Sequence, residues 1–193
     1  MSQTISIPMG AGSVQLPAEL VMKAALESLL SARPASETIP PLGEEWPGEG
    51  GHNGGLIRGE NGQQDYYLIV PAGPGAEFKA IYGGYEHETE GADSASDGLA
   101  NTRALLADSQ EHPAAKLASE YTADGHRDYY LAARRELQVL EANVPELFSK
   151  GRHWSSTHFS ADYAYSMGFE GGWQDGIDKG YERLVRPVRR KFI

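Results

Sequence analysis

The side chains able to hold a proton, a metal or a nucleophile form a thin set in this chain. The histidines are His52, His87, His112, His126, His153 and His158. His153 and His158 stand five apart in a stretch that reads as strand and turn. That odd spacing puts them on opposite faces of a regular strand and disfavours a shared metal. No His-Glu-x-x-His and no Gly-x-Ser-x-Gly occurs. There is no cysteine, so disulfides, thiolate metal sites and cysteine nucleophiles are excluded. The glycine-rich run from Gly48 to Gly55 lacks the Lys-Ser/Thr of a phosphate-binding loop, and Asn53 stands at the third glycine position of a dinucleotide fingerprint. It reads as a close-packed loop. Glu86, Glu88, Glu90 and Asp93 could offer oxygen ligands to a cation, although a solvated acidic loop is the favoured reading. The expectation is therefore no enzyme, no catalytic residue, no metal and no cofactor.

Binding chemistry is better represented. Trp154, His158, Phe159, Tyr163, Tyr165, Phe169, Trp173 and Tyr181 crowd one part of the chain. Trp154 and Phe169 are assigned to the core. The loops carrying His158, Tyr163, Trp173, Asp175 and Tyr181 form the candidate ligand-binding face, with Asp162, Gln174 and Asp178 as further acceptors. Rings beside carboxylates supply stacking and hydrogen bonding together, and Gly171, Gly172, Gly176 and Gly180 leave the ring faces open. The one dense basic patch, Arg183, Arg186, Arg189, Arg190 and Lys191, reads as charges paired with an acidic remainder. With a net charge of -10, no nucleic-acid partner is expected.

The elements that must position these residues follow from local patterning. Thr4 to Ile7 alternates as a short strand that Pro8 ends or confines to an edge, and Gly10-Ala11-Gly12 is a break. A helix from Pro17 to Ala32 carries one narrow polar stripe, Glu19, Lys23 and Glu27. It stops before Arg33-Pro34, and a Pro/Gly/Glu-rich linker anchored by Trp46 leads on. Strands are expected near 55–58 and 66–70, joined by an Asn61-Gly62 turn, and near 78–82. Helices are expected at 98–110 behind the N-cap Asp97, from Pro113 to about Tyr121, and at 133–143. The last forty residues read as strands near 153–156, 161–169 and 184–191, with turns at Gly171-Gly172 and Asp175-Gly176. No apolar run reaches the length of a membrane span, and no signal peptide is apparent, so no membrane insertion is expected.

Four stretches carry a resemblance. Asp97-Gly98-Leu99-Ala100-Asn101-Thr102 opens a helix. Asp124 to Leu131 precedes Arg135-Glu136-Leu137. Trp154-Ser155-Ser156-Thr157 and Val185-Arg186-Pro187-Val188-Arg189-Arg190 follow. In this order they resemble the Lcl-type domain, a C-type-lectin-like module of bacterial surface proteins and of phage and prophage proteins. The likeness covers about Gly50 to Phe192. The family's Leu-Pro-Ser/Thr is here Leu131-Ala132-Ala133, which removes a hydroxyl helix cap worth about 1 kcal/mol. The calcium ligands of sugar-binding C-type lectins, Glu-Pro-Asn or Gln-Pro-Asp with Trp-Asn-Asp, are absent; Trp173-Gln174-Asp175 is a faint echo.

The resemblance implies an α+β, C-type-lectin-like domain at 46–193, with a small mostly antiparallel sheet and two main helices. A strand/helix arm at 1–45 would precede it. It also implies pairing of the first and last strands, near Leu56 and Val185. Val185 and Val188 cannot both face inward in one regular strand, so Pro187 suggests a bulge or an edge. Arg186 and Arg190 would share a face, with Glu44, Glu45 or Glu49 as partners. The implied function is a non-enzymatic bacteriophage virion protein. Its arm would dock other virion proteins and homo-oligomerise, while its domain binds a host-surface glycan or protein. A purely structural subunit, such as a capsid decoration or tail-assembly protein, is the alternative.

Overall fold

The computed structural model describes residues 4–9, 12–31, 38–60, 62–73 and 75–192, with backbone alone at 7–9, 12 and 25–31. The expected break at Gly10-Ala11, the helix stop at Ala32 to Pro34 and Asn61 of the Asn-Gly turn lie outside the described residues. The chain divides into two compact units, Met1–Ile39 and Pro40–Ile193. The second begins before residue 46 because Gly43 N and Asn53 N exchange hydrogen bonds with Asn53 O and Glu44 O, at 2.8 and 2.9 Å.

In the first unit β1 (Thr4–Met9) and β2 (Gly12–Pro17) form an antiparallel hairpin with Ile5 opposite Leu16. Helix α1 (Ala18–Ser31) follows directly. The expected single strand is thus a hairpin, and Pro17 ends β2 instead of opening the helix. Pro8 lies within β1, opposite Ser13. Each strand of a two-stranded sheet is an edge strand, where a missing N–H is tolerated. Leu20 and Met22 on α1 are 61% and 69% exposed.

The second unit opens with β3 (Glu45–Trp46), β4 (Gly51–Ile57), β5 (Tyr66–Val70) and β6 (Phe78–Ala80). Next come α2 (Gly98–Ala107), α3 (Pro113–Glu120), β7 (Tyr130–Leu131) and α4 (Arg134–Asn143). A short 3-10 turn at Pro145–Leu147 leads to β8 (Arg152–His158), β9 (Tyr163–Gly168), β10 (Trp173–Asp178), β11 (Arg183–Val185) and β12 (Pro187–Phe192). The class is α+β. In place of one small sheet and two main helices, the described residues of this unit form two five-stranded sheets, ordered β10-β9-β8-β11-β6 and β3-β4-β5-β12-β7, with three α-helices. Pairing is antiparallel except between β11 and β8.

The terminal segment corrects the expected strand pairing. Val185 and Leu56 lie on different sheets: β11 pairs with β6 and β8, whereas β4 pairs with β3 and β5. β12 reaches the sheet of β4 but pairs with β5 and β7. The chain breaks at Arg186 and crosses from one sheet to the other. That break solves the odd spacing, since Val185 and Val188 are both fully buried, in two different cores.

The Val188 core gathers Leu68 and Val70 of β5, Leu137 and Leu140 of α4, and Met167 of β9. Of the glycine-rich run, Gly48 to Gly50 form a turn, whereas Gly51 to Gly55 belong to strand β4, which bulges between Asn53 and Gly55. A Cβ on Gly54 would stand 2.5 Å from Leu140 Cδ2, so the glycine lets α4 lie against the sheet. The Val185 core holds Trp154 of β8, Leu105 of α2, and Ala114, Ala115 and Ala118 of α3. Trp154 and Phe169 are buried as expected. Asp97 caps α2 by accepting from Ala100 N at 3.0 Å. The cap missing at Ala133 is supplied across space. Thr157 Oγ1 of β8 accepts from Arg134 N at 3.1 Å, and Glu136 Oε2 accepts from Ala133 N at 2.7 Å.

Candidate binding face

The family-like stretches build the frame. Asn101 is fully buried and donates to Ser94 O at 2.7 Å and Ser156 Oγ at 3.3 Å. Thr102 Oγ1 donates to Gly98 O at 2.7 Å and accepts from Leu131 N at 3.1 Å. Trp154 Nε1 donates to Ala80 O at 3.0 Å.

The arginines are internal as well. Arg186 donates to Glu77 Oε1 at 3.0 Å, Pro71 O at 2.9 Å and Leu147 O at 2.7 Å. Arg189 and Lys191 both reach Glu49, at 2.6 and 2.7 Å. Arg190 Nη2 bridges Asp97 at 2.8 Å and buried Glu136 at 3.2 Å. The partners of Arg186 and Arg190 are therefore Glu77, Asp97 and Glu136, not Glu44, Glu45 or Glu49. None of these acids is close to the terminal strand in sequence.

The five expected ligand residues do not form one face. His158 is buried at the end of β8, with Nε2 2.7 Å from Glu88 Oε2, and is not an exposed loop residue. His153, also buried, contacts Glu77 at 2.7 Å instead. Trp173 is 74% exposed and pairs with Gly168, at the far end of the β9–β10 ribbon from Tyr163, which pairs with Asp178. Five residues of strand separate those ends, roughly 17 Å. Asp175 sits mid-ribbon opposite Ser166; it and Gly176 belong to β10 and are not a turn. β10 is poor in strand formers, and its pairing with β9 supplies what its composition does not.

The structure does bring Tyr163 (43% exposed) and Tyr181 (58%) to the same end of the unit, where Tyr181 N donates to Asp178 O at 3.2 Å. It adds a residue that sequence reasoning missed, Tyr85, 51% exposed. Lys179 ties its loop to this end, with Nζ donating to Gly84 O at 3.1 Å and the backbone N to Asp162 O at 2.9 Å, and the charges of Asp162, Asp178 and Glu86 push the Tyr85 hydroxyl above its ordinary range. Nearly 80 residues of chain separate Tyr85 from Tyr163. The only local hint was Gly83-Gly84 just before an aromatic.

A staple beneath the face fixes the loop that carries Tyr85. Lys179 is fully buried, and its Nζ donates to His87 O at 2.7 Å and Gly84 O at 3.1 Å. Its own backbone bonds Asp162 O, Tyr82 N and Gly83 N. Asp108 holds the next residues, with His87 Nε2 at 3.0 Å, Thr89 Oγ1 at 2.6 Å and His112 Nε2 at 3.1 Å. Burial alone would raise the Asp108 carboxyl, but the donors from Thr89, His112, Gln110 N and His87 outweigh it and hold the pKa below the usual range. Thr89, His87 and His112 all converge on Asp108, and Thr89 Oγ1 also lies 3.4 Å from His112 Nε2, so the cluster ties this loop to the end of α2. Glu86, inside the stapled loop, takes φ +60, a left-handed conformation uncommon outside glycine. Among the described residues, no group of three or more His, Asp or Glu is placed to hold a metal.

Burial depresses the Lys179 ammonium to about 8 from an ordinary 10.5, against opposing charges from Glu88, Asp162 and Asp108. Between those values the unfolded chain holds a proton that the folded chain has lost. Stability from this group is therefore lowest below pH 8 and rises towards pH 10.5. The unfolding free energy of the wild type minus that of Lys179→Met is expected to grow over this range in chemical denaturation. A flat or falling difference would mean that the amine is solvated.

No protein-family model matches the chain, and comparison with curated proteins finds no significant match.

Proposed function

We propose that the chain is a non-enzymatic bacteriophage virion protein whose 40–193 unit is a lectin-like domain that binds a host-surface receptor, a glycan foremost. The observation that carries the binding role is the end of the unit where Tyr85, Tyr163 and Tyr181 stand exposed beside Asp162 and Asp178. Exposed large apolar side chains on their own need no explanation. Three tyrosines over a loop fixed by a buried lysine are a preorganised surface, and rigid amphipathic rings are effective anchors. The lectin-like and phage assignments rest on the order of the four family-like stretches, most of whose side chains are buried in the framework and so say nothing of the ligand.

The first unit is read as the docking and oligomerisation arm. About forty residues without disulfides seldom bury enough surface to stand alone, and Leu20 and Met22 are left open on α1.

The test is adsorption of labelled full-length protein to a panel of bacterial cells. Tyr85→Ala/Tyr181→Ala is expected to lose adsorption with a thermal midpoint close to wild type, as for surface substitutions in general. Trp173→Ala, at the other end of the ribbon, should adsorb normally. Undiminished adsorption by the folded double variant would remove the site, and loss only in Trp173→Ala would move it.

A further inference from the structure

A second concavity lies away from the tyrosine face, between β6, the segment 145–149 and β11. It encloses about 440 Å³, within the usual range of small-ligand pockets. Its floor is the buried ion pair Glu77–Arg186. Lys79, Glu146 and Ser149 stand exposed at the rim, and half-buried Leu147 and Leu184 form an apolar wall, while the Phe78 ring turns to the other face of β6 against Tyr121.

Glu77 shows what the cleft offers. Ser149 N, His153 Nε2 and Arg186 Nη2 all converge on Oε1, at 3.2, 2.7 and 3.0 Å. None of these contacts falls on Oε2. Burial alone would raise this carboxyl, but the same three partners outweigh it and bring its pKa to about 2, so it stays ionised. Glu77 is thus an anchored acceptor with one oxygen uncommitted to those donors. Lys79, two residues along the strand, is a donor.

The charges of the cleft balance, Glu77 and Glu146 against Lys79 and Arg186, in a chain of net charge -10. An anionic ligand would meet two carboxylates, and a cationic one would meet two cations. A neutral ring bearing hydroxyls, each both donor and acceptor, satisfies both kinds of group and lays its C–H face on the apolar wall. We propose that this cleft binds a neutral pyranose unit of a glycan. The proposal rests on the glycan reading above but not on the tyrosine face.

The experiment is amide chemical-shift titration of the full chain with the methyl glycosides of glucose, galactose, mannose and N-acetylglucosamine. Saturable shifts are expected at Phe78, Lys79, Ser149 and Leu184 with at least one of them. Lys79→Ala, an exposed change that leaves the Glu77–Arg186 pair intact, should weaken that binding by about tenfold, the loss of one charge-assisted hydrogen bond. Tyr85→Ala/Tyr181→Ala should leave it unchanged. Glucuronate and glucosamine should bind more weakly than the neutral parent sugar. Shifts confined to the tyrosine face would overturn the cleft and keep the glycan reading. Tighter binding of a charged sugar would overturn the neutral-ligand assignment. If no glycoside gives saturable shifts, the cleft proposal falls, and cell adsorption still decides the receptor reading separately.

Discussion

Replacing Arg190 with methionine is expected to cost the 40–193 unit about 3–5 kcal/mol, the penalty for removing one partner of a buried ion pair. Glu136 is almost wholly buried, and its Oε1 accepts from the hydroxyls of Tyr66 and Tyr130 at 2.7 and 2.8 Å. Burial pushes its carboxyl pKa up, and the charge of Arg190 is the largest effect opposing that rise. The guanidinium also lies 4.3 Å from the Tyr66 ring centroid, so methionine loses a cation–π contact as well. Urea denaturation of the full chain measures the cost. Glu136→Leu added to Arg190→Met should recover part of the loss, because the buried carboxylate is then no longer stranded, although Asp97 still lacks its partner. Full recovery is not expected, since Glu136 also accepts from the Ala133 amide at the start of α4. A cost below about 1 kcal/mol for Arg190→Met, the level of an exposed pair, would show that water reaches this cluster.

Trp154→Ala should cost a similar amount, about 3–5 kcal/mol, by leaving a cavity in the Val185 core. The indole is 1% exposed and meets the Tyr82 ring edge-on at 5.4 Å. The core that holds it is rich in alanine, Ala80, Ala92, Ala114, Ala115, Ala118 and Ala164 beside Leu105, Leu131 and Val185, and alanines have no side-chain reach to refill the space. Trp154→Phe keeps much of the volume and strands only the Ala80 carbonyl, a cost of about 1–3 kcal/mol. The two variants, followed by denaturant midpoint at constant slope, separate packing from hydrogen bonding. Equal losses would mean that the indole N–H carries the effect and the cavity does not.

Both substitutions fall in stretches whose residue types stood out in the sequence. What those residues do there became visible only in three dimensions. Asp97 before a helical run, Pro113 at a helix start and an alternating apolar stretch at 66–70 are local signals. Their hydrogen bonds and dihedrals lie within a few residues, so the sequence contained them. The burial of Trp154 was legible for the same kind of reason, a large apolar ring in a stretch with strand periodicity. The absence of thiol chemistry needed only a count.

Partnerships across the chain were not legible. Glu77, Asp97 and Glu136 neutralise Arg186 and Arg190 from 54 to 109 positions away, and no local pattern selects them from 27 acidic residues. The segment 184–191 read as one strand because strand periodicity does not say which sheet is joined. Two separate cores, each needing one valine, decide the break at Arg186. Trp173 and Tyr163 look adjacent as text. Antiparallel pairing sends them to opposite ends of a ribbon, and hydrogen bonds from Lys179 to Gly84 O and Asp162 O bring the loop of Tyr85 to the Tyr163 end. Residue type sets what a side chain can do. Which side chains meet depends on strand order and register, and those are settled when whole faces are buried against each other.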